Sequence, residues 1–404
     1  MKFTKSILLF IFIFSNSLFS QNSPTDKVRE VKLPTHADGS PFICEKFEML
    51  EKNLKNLQLT NTTITPPPIP GYNTASTRTG EEVQVGDSNT AEFEVHAAVN
   101  PTDPSNIIVG AMKVEGGSTN TVLNFAIYFT NDFGDTWEKS NFTGEILNDV
   151  TIGGGDPMIV FDENGKAYFS WVMVTFNLAS ATGTWALYYA TSDNGGDNWV
   201  FNQNDAIERE NFTDVFSISD LQEAVDKQWM VSDLTPSSPH YGNSYVAYVD
   251  IIVATETYQL KVKKRNAGST TFSSTAQIIN TIDFEIAQFA SIDVAANGDI
   301  YATFFGSLGG TNYGIYVAKS TDGGDSFAPE KKISNIAFPL VFSGDTPVVG
   351  ISDDRLYPCP HVAVDKSTGS NAGNIYVTWT AYGCLLYTSP SPRDQRGSRM
   401  PSSA

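Results

Sequence analysis

From Ala91 onward the chain alternates short runs of apolar, β-branched and aromatic residues with turns of Gly, Asp and Asn. Such runs, bounded by turn formers, read as β-strands. They fall at residues 93–98, 106–114, 123–130, 158–161, 167–175, 185–191, 245–254, 291–294, 300–305, 314–319 and 374–379. No long helical period interrupts them. The preceding stretch differs. Phe47, Leu50, Leu54 and Leu57 fall at helical spacing and predict a short amphipathic helix. TPPPIPG (65–71) favours extended polyproline structure, and residues 76–89 are polar and turn-rich. Residues 21–90 therefore read as a lead-in, and 91–383 as one β domain.

A repeat sets the architecture. TNDFGDTW (130–137), SDNGGDNW (192–199) and STDGGDSF (320–327) share one pattern. Their aromatic ends lie 62 and 128 residues apart, and 128 is twice 64, so a worn copy is expected between the second and third. NAGSTTF (266–272) lies near that place with the Asp lost. A second repeated element reads DPMIVFDENGKAYFSW (156–171) and recurs at 226–249, 290–305 and 360–379. Each copy is a strand, a turn and a second strand with aromatics, and Asp162, Asp233, Asp293 and Asp365 fall near the first strand's end. One unit is then a meander of about four strands, which is a propeller blade.

The octets resemble the Asp box, S-x-D-x-G-x-T-W, of the sialidase-like superfamily. The resemblance covers roughly residues 91–383. It implies an all-β fold, a β-propeller of four-stranded antiparallel blades, with about four and a half of the usual six blades in this chain. In the box, Gly134, Gly196 and Gly324 supply positive backbone angles, and Asp132 and Asp322 accept turn N–H groups. Asn194 replaces the Asp of the second copy, and Trp137, Trp199 and Phe327 pack between sheets. Boxes of this family lie on the rim and act as scaffold. Their spacing does not match an EF-hand, so no metal is expected.

Sialidases of this superfamily hold a substrate carboxylate with three Arg, use an Asp acid/base, and use a Tyr activated by Glu. Their first Arg sits in an Arg-Ile-Pro segment, which this sequence lacks. Between 91 and 383 only Arg209, in a charged loop, Arg265, at the worn turn, and Arg355, in DDRLYP, occur. All three read as solvated surface residues, with Arg355 the one to watch. Asp156 follows Gly153–Gly155 at the start of an inner strand, where it either faces the central funnel or caps a turn. His240 and Tyr241, in SSPHYGNSY, are pocket or packing residues. Four His in the whole chain offer no clustered metal site, and no cofactor is implied.

Charge and the chain ends complete the picture. A net charge of −19 repels phosphate backbones and argues against nucleic acid. Residues 1–20, with Lys2, Lys5 and an apolar run over 7–14, read as a signal peptide too short to span a membrane. A secreted or cell-surface location follows. The three Cys (Cys44, Cys359, Cys384) lack metal-ligand spacing, and a Cys44–Cys359 disulfide remains open. Residues 384–404, CLLYTSPSPRDQRGSRMPSSA, resemble a translated sequencing adaptor, so the natural chain is expected to continue past Gly383. Two functions fit. One is a secreted propeller binding extracellular glycan or glycoprotein. The other is an exo-α-sialidase-type hydrolase with its later catalytic blades missing. The absent Arg-Ile-Pro segment favours the first.

Overall fold

The computed structural model describes residues 83–86, 92–116, 121–142, 144–177, 179–213, 220–309, 312–336 and 358–380. The expected signal peptide, lead-in helix, polyproline stretch and tail, together with Arg355, Cys44 and Cys384, lie outside them. Among the described residues there is no helix, and hence none long and apolar enough to cross a membrane.

The fold is a β-propeller of antiparallel meanders. Blade one pairs β1 (Glu92–Val99), β2 (Ile107–Gly116), β3 (Thr121–Thr130) and β4 (Glu138–Lys139) in sequence order. Blade two pairs β5 (Asp149–Phe161), β6 (Ala167–Asn177), β7 (Thr182–Ser192) and β8 (Val200–Phe212). Blade three pairs β9 (Glu223–Ser232), β10 (Ser244–Ile252), β11 (Thr257–Arg265) and β12 (Gln277–Ile278). Blade four pairs β13 (Ile286–Val294), β14 (Ile300–Ser307), β15 (Tyr313–Ser320) and β16 (Ala328–Asn335). β17 (His361–Val364) and β18 (Ile375–Thr378) form a fifth, two-stranded sheet. The first strands touch in succession, β1 to β5 to β9 to β13 to β17, so they are the innermost. The hairpin after each first strand and the octet turn between third and fourth strands lie at one end of the blades. The opposite end is called the mouth.

Burial explains the pattern of the sequence. β6 and β10 are covered on both faces and read as near-continuous apolar runs. Between blades one and two, Phe125, Phe142, Phe169, Trp171, Trp199 and Phe201 form a chain of ring contacts 5.0–6.1 Å apart. A larger cluster joins blades two, three and four through Trp185, Tyr245, Tyr248 and Phe304.

Several expectations need correction. β8 carries VFNQNDAIERENF, whose polar face points to solvent as the outermost strand of its blade. Arg209 therefore sits in a strand, not a charged loop, with its guanidinium over the Tyr188 ring. β5 begins at Asp149 and absorbs Gly153–Gly155. A side chain at Gly155 would collide with Glu94, so close approach of two inner strands accounts for that glycine. In blade four Asp293 does fall near the end of β13, and Ala295 takes the first-hairpin position. Asp293 lies two residues earlier, and its carboxylate accepts Val364 N–H of the next sheet at 2.8 Å.

Candidate functional site

Each inner strand carries one non-glycine residue in the left-handed region, six residues ahead of its hairpin residue. These are Glu94 (φ 54°), Asp156 (56°), Lys227 (49°), Phe289 (61°) and, just ahead of β17, Cys359 (36°). The strand register slips beside the first four, so each is a β-bulge. Non-glycine residues avoid this conformation unless their surroundings hold it. Here part of the support comes from the neighbouring blade. Asp156 N–H donates to Glu94 Oε2 at 2.7 Å, and Lys227 N–H donates to Asp156 Oδ2 at 3.2 Å. Lys227 Nζ also pairs with Asp156 Oδ1 at 3.0 Å, and lies 6.0 Å from the centre of the Phe289 ring. The result is an axial arc of carboxylate, carboxylate, ammonium and phenyl, roughly 20 Å from the hairpin ends by strand rise.

Two residues nearer the hairpins, the axis carries rings. Trp229 stands between His96, at 5.5 Å, and His361, at 4.6 Å, with the ring planes 89° and 63° apart. His96 Nδ1 accepts Ile159 N–H at 3.2 Å. Burial, aided by nearby His361, pushes the His96 pKa down to about 4, so the ring is neutral at pH 7. The polar arc thus rests on an aromatic floor.

Asp156 lies on the innermost strand and lines this axis, its side chain 10% exposed. His240 and Tyr241 do not join it. They occupy the hairpin after β9, where His240 packs against Gly298 and Gly323 of the next blade. Tyr241 is 40% exposed. Arg265 is neither solvated nor at the axis. It is 1% exposed, stacks 4.7 Å over Tyr168, and donates to Ser244 Oγ (3.0 Å), Ser269 O (3.1 Å) and Gly242 O (3.2 Å). Its guanidinium also pairs with Asp162 at 3.5 Å. Among the described residues no arginine reaches the axis. The signal for the bulge arc was present in the sequence as a spacing, six residues before each first-hairpin residue, but the residue types differ in every blade.

The octets form three nearly superimposable turns. Thr130, Ser192 and Ser320 each donate a hydroxyl to the third residue, Asp132, Asn194 or Asp322, at 2.6–2.9 Å. That residue accepts the backbone N–H of Thr136, Asn198 or Ser326 at 2.9–3.0 Å. Gly134, Gly196 and Gly324 close the turn at φ 97°, 97° and 82°. Trp137 and Trp199 donate their indole N–H to the Gly134 and Gly196 carbonyls at 3.0 Å.

Hydroxyl donation from Thr130 and then Thr136 holds the Asp132 carboxyl at about 2, and the Ser326 hydroxyl does the same for Asp322. Carboxyls depressed in this way stabilise the fold above pH 4, and that contribution is lost as pH falls from about 4 through 2. Asp132→Ala and Asp322→Ala are each expected to lower the melting temperature by roughly 2–4 °C. Ligand binding should not change. Lost binding at unchanged melting temperature would show that these turns are more than scaffold.

No protein-family model matches the chain, and no curated protein does. Solved structures do resemble it. The GH93 α-L-arabinofuranosidase of Fusarium graminearum, in complex with arabinobiose, is 14% identical, with 72% of this chain and 76% of that chain covered at a TM-score of 0.47. The leech intramolecular trans-sialidase is 11% identical, covering 76% and 64% at 0.43. The intramolecular trans-sialidase from Ruminococcus gnavus is 10% identical, covering 72% and 85% at 0.42. The propeller assignment rests on the arrangement of the sheets themselves.

Proposed function

We propose that this protein is an exported, sialidase-like propeller that binds a glycan at the mouth end of its axis. The observation that carries the reading is the recurrent bulge, which brings Glu94, Asp156, Lys227 and Phe289 to one axial arc above Trp229. Carboxylates and an ammonium exchange hydrogen bonds with sugar hydroxyls, while aromatic faces take the apolar side of a pyranose or furanose ring. The resemblance of the octets to the Asp box supports the same reading. A sialidase-type reaction finds no support at the axis, because no described guanidinium is there to hold a carboxylate.

The full chain should be screened on a glycan array, and the strongest ligand titrated by calorimetry against Asp156→Asn and Trp229→Ala. Each variant is expected to weaken binding at least tenfold, with no release of sugar from sialoside or arabinofuranoside chromogens. Unchanged affinity in both variants would sink the axial site. Turnover abolished by Asp156→Asn would replace binding with hydrolysis.

A further inference from the structure

A second site emerges from the worn octet of blade three. Position four of the pattern is Gly195, Gly268 or Gly323 in blades two, three and four, each with φ of 71–73°. In blades two and four the space above this glycine is filled by the preceding blade. A Cβ on Gly195 would lie 2.7 Å from Asn106, and one on Gly323 would lie 2.5 Å from His240. Above Gly268 there is nothing within 4 Å. The vacant volume is a cleft of about 290 Å³ between blades two and three, bordered by the Asp162–Lys166 hairpin and the 268–270 turn.

The cleft is not merely a packing fault. Where the other octets begin with Thr or Ser, this one begins with Arg265, which forms the back wall beside Tyr168. The buried Nε of Arg265 finds no acceptor among the described residues. Buried polar atoms are seldom left unmatched. At the rim, Lys166 Nζ and Asp193 Oδ2 pair at 3.0 Å, with Asp193 70% exposed.

We infer that this inter-blade cleft is a second ligand site, taking one uncharged sugar ring. Its size sits at the lower end of ligand clefts, about 300 Å³, which suits a single ring. Its charges decide the class. Arg265 is matched by Asp162 and Lys166 by Asp193, so the lining is neutral as a whole. An anion or cation would unbalance the buried Arg265–Asp162 pair. A polyhydroxyl ligand needs the mixture that is present, carboxylate acceptors and ammonium, amide and backbone donors. This site is independent of the axial one and lies at the opposite, hairpin end of the blades.

The test is saturation-transfer NMR on the full chain with methyl glycosides of glucose, galactose, mannose and arabinose. At least one should bind. Its affinity should fall tenfold or more in Lys166→Ala/Asp193→Ala, which removes two partly exposed rim groups, and in Asn164→Trp, which fills the opening. Asp156→Asn should leave it unchanged. Melting curves verify that each variant is folded. The site is refuted if none of the four glycosides binds, if binding survives both cleft variants, or if Asp156→Asn abolishes it.

Discussion

Arg265→Ala is expected to destabilise the protein by about 3–5 kcal/mol, the range for removing one partner of a buried ion pair. The change strips hydrogen bonds from the Gly242 and Ser269 carbonyls and the Ser244 hydroxyl, uncovers the Tyr168 ring, and leaves Asp162 without its cation. Asp162 cannot simply turn away. Its Oδ1 accepts Asn164 and Lys166 N–H groups at 3.0 Å and shapes the hairpin after β5. Both blades flanking the seam therefore lose support. Arg265→Lys should recover only part of the loss, since one ammonium cannot reproduce a planar fork spread over several acceptors. Denaturant titration measures this directly. A midpoint for Arg265→Ala within error of the parent would show that the buried guanidinium contributes nothing net.

Between pH 6.5 and about 4 the fold is expected to lose ~3 kcal/mol through His96. Its folded pKa is held at about 4, below the 6.5 of an unfolded histidine. The unfolded chain therefore takes up a proton before the folded one does. Stability from the neutral ring is complete above pH 6.5 and drains away as pH falls through that window. The physical cost is that protonated Nδ1 can no longer accept the Ile159 N–H, and a cation would sit among Trp229, Ile159 and His361. His361 is shifted in the same direction by burial, so both imidazoles act with one sign. His96→Gln keeps an acceptor but cannot titrate in this range. Its stability should be flatter than the parent's from pH 6.5 to 4 by denaturant titration at fixed ionic strength. An equal slope in the two proteins would assign the acid sensitivity elsewhere.

Local chemistry was legible in the sequence, and long-range geometry was not. The octet turns are closed by residues within eight positions of one another, so Asp132, Gly134 and their counterparts announce themselves, and the spacing of the copies gives the blade. The worn copy was equally readable by position: residues 266–271 do form the turn after β11, and Phe272 packs on Tyr189 at 5.4 Å. Outer strands such as β8 are hard to read because one face is wet, which makes ERE look like a loop. Arg265 reads as a surface residue because KKRN by itself is a surface sequence and its partner Asp162 lies 103 residues away. The axial bulges escaped notice because geometry repeats there while chemistry does not. Asp156 stands out through its run of glycines and Glu94 as a carboxylate at the start of the first blade, whereas Lys227 and Phe289 give no local sign.

Among the described residues, hydrogen bonds from one inner strand to the next run one way along the chain. Glu94 accepts from Asp156, His96 from Ile159, Asp156 from Lys227, Ser291 from Val362 and Asp293 from Val364. In these five the earlier blade supplies a side-chain acceptor and the later blade a backbone donor, and the side-chain donors Lys227 Nζ, Gln228 Nε2 and Gln288 Nε2 likewise reach back to the blade before them. A ribosome releases the chain in that same order, at about 5–20 residues per second, and leading segments fold first. Each acceptor is therefore in place before the strand that needs it has been made. The growing chain offers every new blade a prepared seat, and it exposes a row of unused acceptors only at its most recently synthesised edge.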